Sequence, residues 1–155
     1  MLIDLHTHSL SSGHGSMDTI TDMAKAAAKK GIQILGISEH GPATVGSAKP
    51  SYFRSLKLAG RERCGITILY GTELNIIDTN GNVDLEDNIL EGLDYAFISI
   101  HPPTLPPYEH ADLTDAYIKA MDRPKGKFLG HIDDARFPVN FWRLLEEAKE
   151  RGIYP

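Results

Sequence analysis

Short apolar runs alternate with amphipathic stretches along the chain, the pattern of a parallel α/β architecture. Leu2 to His6 reads as a first strand. Ser16 or Asp18 is placed to cap a helix running to Lys30, with Ile20, Ala24, Ala27 and Ala28 on its buried face and Gly31 as its stop. Ile32 to Ser38 reads as a second strand, residues 41 to 50 as a loop, and Tyr52 to Arg63 as a helix. Ile66 to Tyr70 forms a third strand. Asn75-Ile76-Ile77 and Asn82-Val83-Asp84-Leu85 then flank Asn80-Gly81, a type I′ hairpin signal. Tyr95 to Ile100 is the fourth strand, followed by a proline-rich loop from Pro102 to Pro107. A helix from Asp112 to Asp122 would bury Leu113, Tyr117, Ala120 and Met121. Lys127 to Gly130 is a short fifth strand. Asn140 caps a last helix with Phe141, Leu144, Leu145 and Ala148 inward, and Gly152 ends it.

Ile153-Tyr154-Pro155 reads as a sixth strand beginning. Closed parallel barrels need seven or eight strands, and full ones typically run to about 250 residues. The expectation is therefore one α/β domain over residues 1–155, an incomplete barrel of about five βα units, truncated at its C-terminal side. Its open sheet edges would favour assembly, so a homo-oligomer is an expected partner state.

Composition adds little to the fold and narrows the partners. With 41% hydrophobic and 24% charged residues the balance is that of an ordinary globular domain. The formal net charge is -5, and no basic stripe is present, which argues against nucleic acid as a partner. A single cysteine, Cys64, forms no internal disulfide and suits a reducing cytoplasm, with core packing as its expected role. The start of the chain lacks signal-peptide character and no stretch reaches transmembrane length, so a cytoplasmic, membrane-free protein is expected.

The chemistry lies in the histidines. Six of the seven fall at or just beyond the ends of apolar runs: His6, His8, His14, His40, His101 and His131. Residues two apart on a strand share a face, so His6 and His8 can reach one ion together. Glu73, His101 and His131 each follow a different strand, the way a parallel barrel builds a site on its C-terminal rim. Imidazole suits zinc, copper, iron and nickel, and a carboxylate also admits manganese. Zinc prefers four ligands, so seven groups imply two or three ions, with Zn2+ first and Mn2+ or Fe as alternatives. Glu73 can bridge two of them, and paired metals can clamp the oxygens of a displacement. Three divalent ions carry about +6, which favours a phosphomonoester dianion as substrate.

These motifs, in this order, resemble the PHP superfamily, named for polymerase and histidinol phosphatase. The resemblance rests on Asp4-Leu5-His6-Thr7-His8-Ser9 through Ser12-Gly13-His14-Gly15, which is close to that family's first motif. Gly36 to Pro42, Gly71 to Asp78 and Ser99 to Pro103 look most like its YcdX-type phosphatases. The resemblance implies a distorted (β/α)7 barrel with a trinuclear site. By motif, it puts His6, His8 and Glu73 on the first ion, Glu73, His101 and His131 on the second, and His14 and His40 on the third. It also implies a later Asp-x-His pair completing the first and third ions, a motif not found after residue 131. Ile132 stands where many relatives carry proline.

The expected function is a metal-dependent phosphatase in which a metal-bridging hydroxide attacks a small phosphorylated substrate, with Glu73, His101 and His131 as the catalytic set. Histidinol phosphatase or an exonuclease-like relative is the alternative within enzymes; a non-catalytic metal-binding fragment is the alternative outside them. Asp4 shares a face with His6 and His8 and is expected to orient an imidazole or bond a nearby loop. Arg136 and Lys49 are candidate phosphate contacts by loop position, with a solvated charge as the plainer reading of both. His110 belongs to no motif and is expected to be an exposed loop residue; Trp142, Phe141 and Leu145 are expected in the core.

Overall fold

In the computed structural model, residues 1–105 and 112–155 are described, and the His110 expectation lies outside them. Five strands run parallel: β1 (Ile3–Asp4), β2 (Ile34–His40), β4 (Ile66–Asn75), β5 (Tyr95–Ser99) and β6 (Gly126–Leu129), in the spatial order β1-β2-β4-β5-β6. Together they form half of a barrel, the incomplete α/β barrel that the alternating pattern predicts. A short β3 (Glu62–Arg63) pairs antiparallel with β4. The C-terminal residues add a parallel bridge between Phe128 and Tyr154, with Tyr154 donating to Lys127 and receiving from Leu129, so the sixth strand does begin there.

The helices cover one face of the central strands, and Glu73 lies on the opposite face. Ile37, Ile68, Leu74 and Ile98 are fully enclosed. Over one part of the helix-covered face α1 (Ile20–Lys29), α2 (Pro50–Ser55) and the single-turn α3 (Asp87–Leu90) close a core around Ala24, Phe53, Ile68 and Leu90. Further along the same face α4 (Thr114–Ala120) and α5 (Phe141–Arg151) close a second around Tyr117, Leu129 and Leu144. Leu113, Tyr117, Ala120 and Met121 are all buried, as their spacing predicts.

Tyr95 sets how closely β1, β2 and β4 approach. Its hydroxyl donates to the Leu5 carbonyl at 2.6 Å, and its ring lies over two glycines. A Cβ at Gly36 would sit 2.3 Å from that hydroxyl, and one at Gly71 would sit 2.7 Å from the ring.

Several boundaries differ from expectation for identifiable reasons. Thr19, rather than Ser16 or Asp18, caps α1, because its side chain accepts the Asp22 N–H. The two expected caps are engaged with the preceding loop: Ser16 donates to the His8 carbonyl and the Asp18 carbonyl receives the Leu10 N–H. The helix expected over 52–63 stops at Ser55 and continues as a 3-10 turn to Leu58, and the chain is extended by Ala59. The type I′ geometry expected at Asn80-Gly81 occurs instead at Cys64-Gly65, where both residues have positive φ between paired Arg63 and Ile66. At the 80–81 hairpin only Gly81 has positive φ. Cys64 is consequently exposed at a turn rather than packed. Phe141 and Trp142, in the first turn of α5, are also exposed, at 43% and 76%; Leu145 is half-buried, and Leu144 and Ala148 fill the core. Asn140 caps α5 by accepting the Arg143 N–H, and Gly152 ends it in the left-handed conformation. Among the described residues no helix is long and apolar enough to cross a membrane.

Candidate metal centre

Side chains from the C-terminal ends of four strands, with those of the loop after β1, meet at one carboxylate. Glu73 lies on β4 directly opposite His40 of β2 and is completely buried. His6 and His8 follow β1, where the pairing continues through the Ser38 N–H to the Thr7 carbonyl. His101 follows β5. His131 follows β6 and holds a left-handed backbone at φ 56, a strained state tolerated at sites where surrounding structure demands it.

The two oxygens of Glu73 face different histidines. Oε2 lies 3.1 Å from His6 Nε2, 3.3 Å from His8 Nε2 and 3.1 Å from His40 Nδ1. Oε1 lies 3.2 Å from His101 Nε2 and 3.0 Å from His131 Nε2, and accepts the Ser99 hydroxyl at 3.0 Å. His14 completes the ring of imidazoles, with its centroid 5.0 Å from that of His8 and 4.8 Å from that of His40. All seven positions singled out in the sequence are thus brought together.

The grouping within the cluster is tighter than the motifs imply. Ligand atoms of His6, His8 and Glu73 lie within 4.8 Å of one another, and the same holds for His8, His14 and His40 and for His40, Glu73 and His101. His8 and His40 therefore each belong to two groups, and His131 joins on the Oε1 side of Glu73.

The electrostatics of the cluster suit a cation. Glu73 Oε2, His40 Nδ1 and His101 Nε2 are buried without a hydrogen-bond partner among the described residues. Buried polar atoms left unpaired cost about 1–3 kcal/mol each. These three point at a common space, and a mixed imidazole and carboxylate set is what zinc, manganese or iron would complete. The residues present fit such an ion. Burial alone would push the Glu73 carboxyl up, but contact with His101, His131, His40 and His6 outweighs it and holds the group well below the usual carboxylate range. Burial pushes His8 down, toward the neutral imidazole that binds metal, while contact with Glu73 raises His131.

The remaining candidates lie apart. Asp4 accepts the His6 backbone N–H at 3.3 Å and so meets the main chain, not an imidazole. Arg136 is exposed and forked onto Asp134, with Nη2 to Oδ2 at 2.6 Å, which spends its guanidinium on a neighbour two residues away. Lys49 is exposed at the start of α2. Motif reading missed the residues that support the ligands: Ser99 on Glu73, Ser12 on His8 and Asn75 on His101. Gly130 was also missed; a Cβ there would lie 2.1 Å from Ser99 Oγ. Neutral side chains of this kind carry no signature in a single sequence.

Comparison with known proteins agrees with this geometry. The family model of the PHP domain matches residues 4–152. A probable phosphatase of Clostridium novyi (strain NT) is 35% identical over 152 residues, covering 98% of this chain and 62% of that protein. One from Thermoanaerobacter sp. (strain X514) is 38% identical over 155 residues, covering 99% of this chain and 63% of its own length. A third, from Clostridium acetobutylicum, is 36% identical over 152 residues with 98% and 62% covered. The chain thus spans a little over three-fifths of the curated relatives it matches. With the family model matched over nearly its whole length, the chain belongs to the PHP domain family.

Proposed function

We propose that this chain carries the ligand set of a metal-dependent phosphatase acting on a small phosphomonoester. The observation that supports it most is Glu73: one buried carboxylate whose two oxygens are turned to different histidine groups, the posture of a ligand shared between ions. Its relatives' description as probable phosphatases points to the same reaction class. Zinc is the first choice of metal, two or three ions per site, with manganese or iron also compatible with these donors.

Divalent ions held there would lower the pKa of water to about 7 and neutralise phosphate charge. The chain's own contribution is placement. Glu73 fixes the spacing between the His6/His8 side and the His101/His131 side. Ser99 holds Oε1, and the β2, β4 and β5 strands hold the carboxylate against water. The formal net charge of -5 makes a small phosphate ester a better substrate than a polyanionic nucleic acid, so histidinol phosphate and short DNA belong in the panel as competing substrates. The lone cysteine and the absence of a membrane-crossing helix among the described residues are compatible with a cytoplasmic site of action.

The test is Glu73→Gln, read by zinc content and by hydrolysis of p-nitrophenyl phosphate. Loss of both supports the reading. Turnover equal to wild type removes the shared-ligand role. Zinc bound by the wild-type chain without turnover of any phosphate ester would favour metal binding without catalysis.

A further inference from the structure

Two of the imidazoles at the cluster are each anchored on the far side of the ring by a neutral residue that is itself held by a carboxylate. His8 Nδ1 lies 2.9 Å from Ser12 Oγ, and Ser12 Oγ lies 2.5 Å from Glu39 Oε2. His101 Nδ1 lies 2.7 Å from Asn75 Oδ1, and Asn75 Nδ2 lies 2.6 Å from Asp84 Oδ2.

Proton bookkeeping then assigns both rings. The Ser12 oxygen has three neighbours and one proton to give. The His40 N–H, at 3.0 Å, can only donate to it. Glu39 is fully buried and accepts the Ser9 N–H at 3.1 Å, so it is an acceptor that takes the Ser12 proton. Ser12 is left with lone pairs only, and His8 must present Nδ1–H to it. At the second anchor, Asn75 Nδ2 faces the Asp84 carboxylate and, at 3.4 Å, the Gly41 carbonyl. A carbonyl can only accept, so the amide nitrogen lies on that side and Oδ1 faces His101. His101 therefore also presents Nδ1–H. The fit of Asp84 is specific, since a Cβ at Gly41 would lie 2.3 Å from its Oδ2.

We propose that Glu39, acting through Ser12, and Asp84, acting through Asn75, are positioning residues. They hold His8 and His101 in the Nδ1–H tautomer and so leave both Nε2 atoms, on the Glu73 side of each ring, available to an ion. Hydrogen bonds to the distal ring nitrogen fix tautomer and orientation in metal-binding histidines generally. The purpose of the relay rests on the metal-centre reading above, but the tautomers themselves are a property of the metal-free chain. Both carboxylates belong to segments that a ligand search passes over: Glu39 precedes a ligand and points away from the cluster, and Asp84 arrives from the return arm of the 80–81 hairpin.

The experiment is long-range 1H–15N correlation of the histidine rings in the 15N-labelled chain. It is run with a chelator present and well above the ordinary histidine pKa of about 6.5. In the wild-type chain both His8 and His101 should show the Nδ1–H pattern. Glu39→Leu removes the acceptor of the Ser12 proton, freeing the hydroxyl to donate to His8, and should move His8 toward Nε2–H while leaving His101 unchanged. Asp84→Leu, which leaves Asn75 Nδ2 without its carboxylate acceptor, should release His101 and leave His8 unchanged. Zinc affinity, measured by chelator competition, should fall roughly 10–100-fold in each variant. Ser12→Ala gives a second route to the His8 ring if Glu39→Leu does not fold. An Nε2–H pattern for either ring in the wild-type chain overturns the relay, as do rings unmoved in both folded variants. A chain with the expected tautomers that binds no zinc contradicts the metal reading alone.

Discussion

Gly130 and Ser99 stand so close across β5 and β6 that a methyl group on the first would lie 2.1 Å from the hydroxyl oxygen of the second. That hydroxyl is the donor to Glu73 Oε1, and the same methyl would lie 3.3 Å from Oε1 itself. The glycine leaves space for the serine, and the serine steadies the carboxylate.

Gly130→Ala should therefore act at the centre rather than in the core. Overpacking of this kind costs about 1–3 kcal/mol. The variant should melt lower, by roughly 2–4 °C per kcal/mol lost, and bind zinc more weakly. Gly130→Ala combined with Ser99→Ala should recover melting temperature, because the clashing oxygen is gone, but not zinc affinity. Calorimetry and chelator competition on the single and double variants decide this; a single variant indistinguishable from wild type in both would contradict it.

Tyr95→Phe should loosen the strand that leads to His6 and His8. The lost bond is the one from the Tyr95 hydroxyl to the Leu5 carbonyl, one residue before the first ligand. Removing one partner of a buried bond costs about 1–3 kcal/mol. The expected result is a lower melting temperature with a matching fall in zinc affinity, while Phe97→Leu, beside His6 but without a polar bond, should not reproduce the stability loss in the same way. Unaltered melting of Tyr95→Phe would show that β1 is held by other contacts.

Asp112 offers a pH test of how α4 and α5 are joined. Its carboxylate accepts the Thr114 N–H and hydroxyl, and Thr114 in turn accepts the Asn140 N–H at the start of α5. The Thr114 contacts hold the Asp112 carboxyl below its ordinary value. A depressed carboxyl contributes stability above its unfolded pKa, about 3.9, and loses it as pH falls through the folded value. The stability gap between wild type and Asp112→Asn should be constant near neutrality and shrink below about pH 4. A gap that widens with acid would reverse the assignment.

Much of this site is readable along the chain because charge and metal chemistry are conspicuous. His6, His8, His40, Glu73, His101 and His131 end apolar runs, and strand geometry alone sends them to one rim. The supporting set is not readable, because its pairings are distant and its residues ordinary. Ser12 meets Glu39 across 27 positions, and Ala43 meets Asp84 across 41. Local rules also misplace features where two segments compete. Asn80-Gly81 has the composition of a type I′ turn, but the tight two-residue turn is made by Cys64-Gly65, where β3 pairs directly back onto β4. The periodicity of α5 marks Leu144 and Ala148 correctly, while Phe141 and Trp142 in its first turn are exposed, which no pattern within α5 reveals.

The most direct measurement is zinc anomalous scattering from crystals of this chain grown with the metal. The account predicts peaks on both sides of the Glu73 carboxylate, each oxygen at about 2.0–2.2 Å from its ion, with His6 and His8 on one side and His101 and His131 on the other. A single peak away from Glu73, or none at a zinc concentration that saturates the protein in solution, would contradict it.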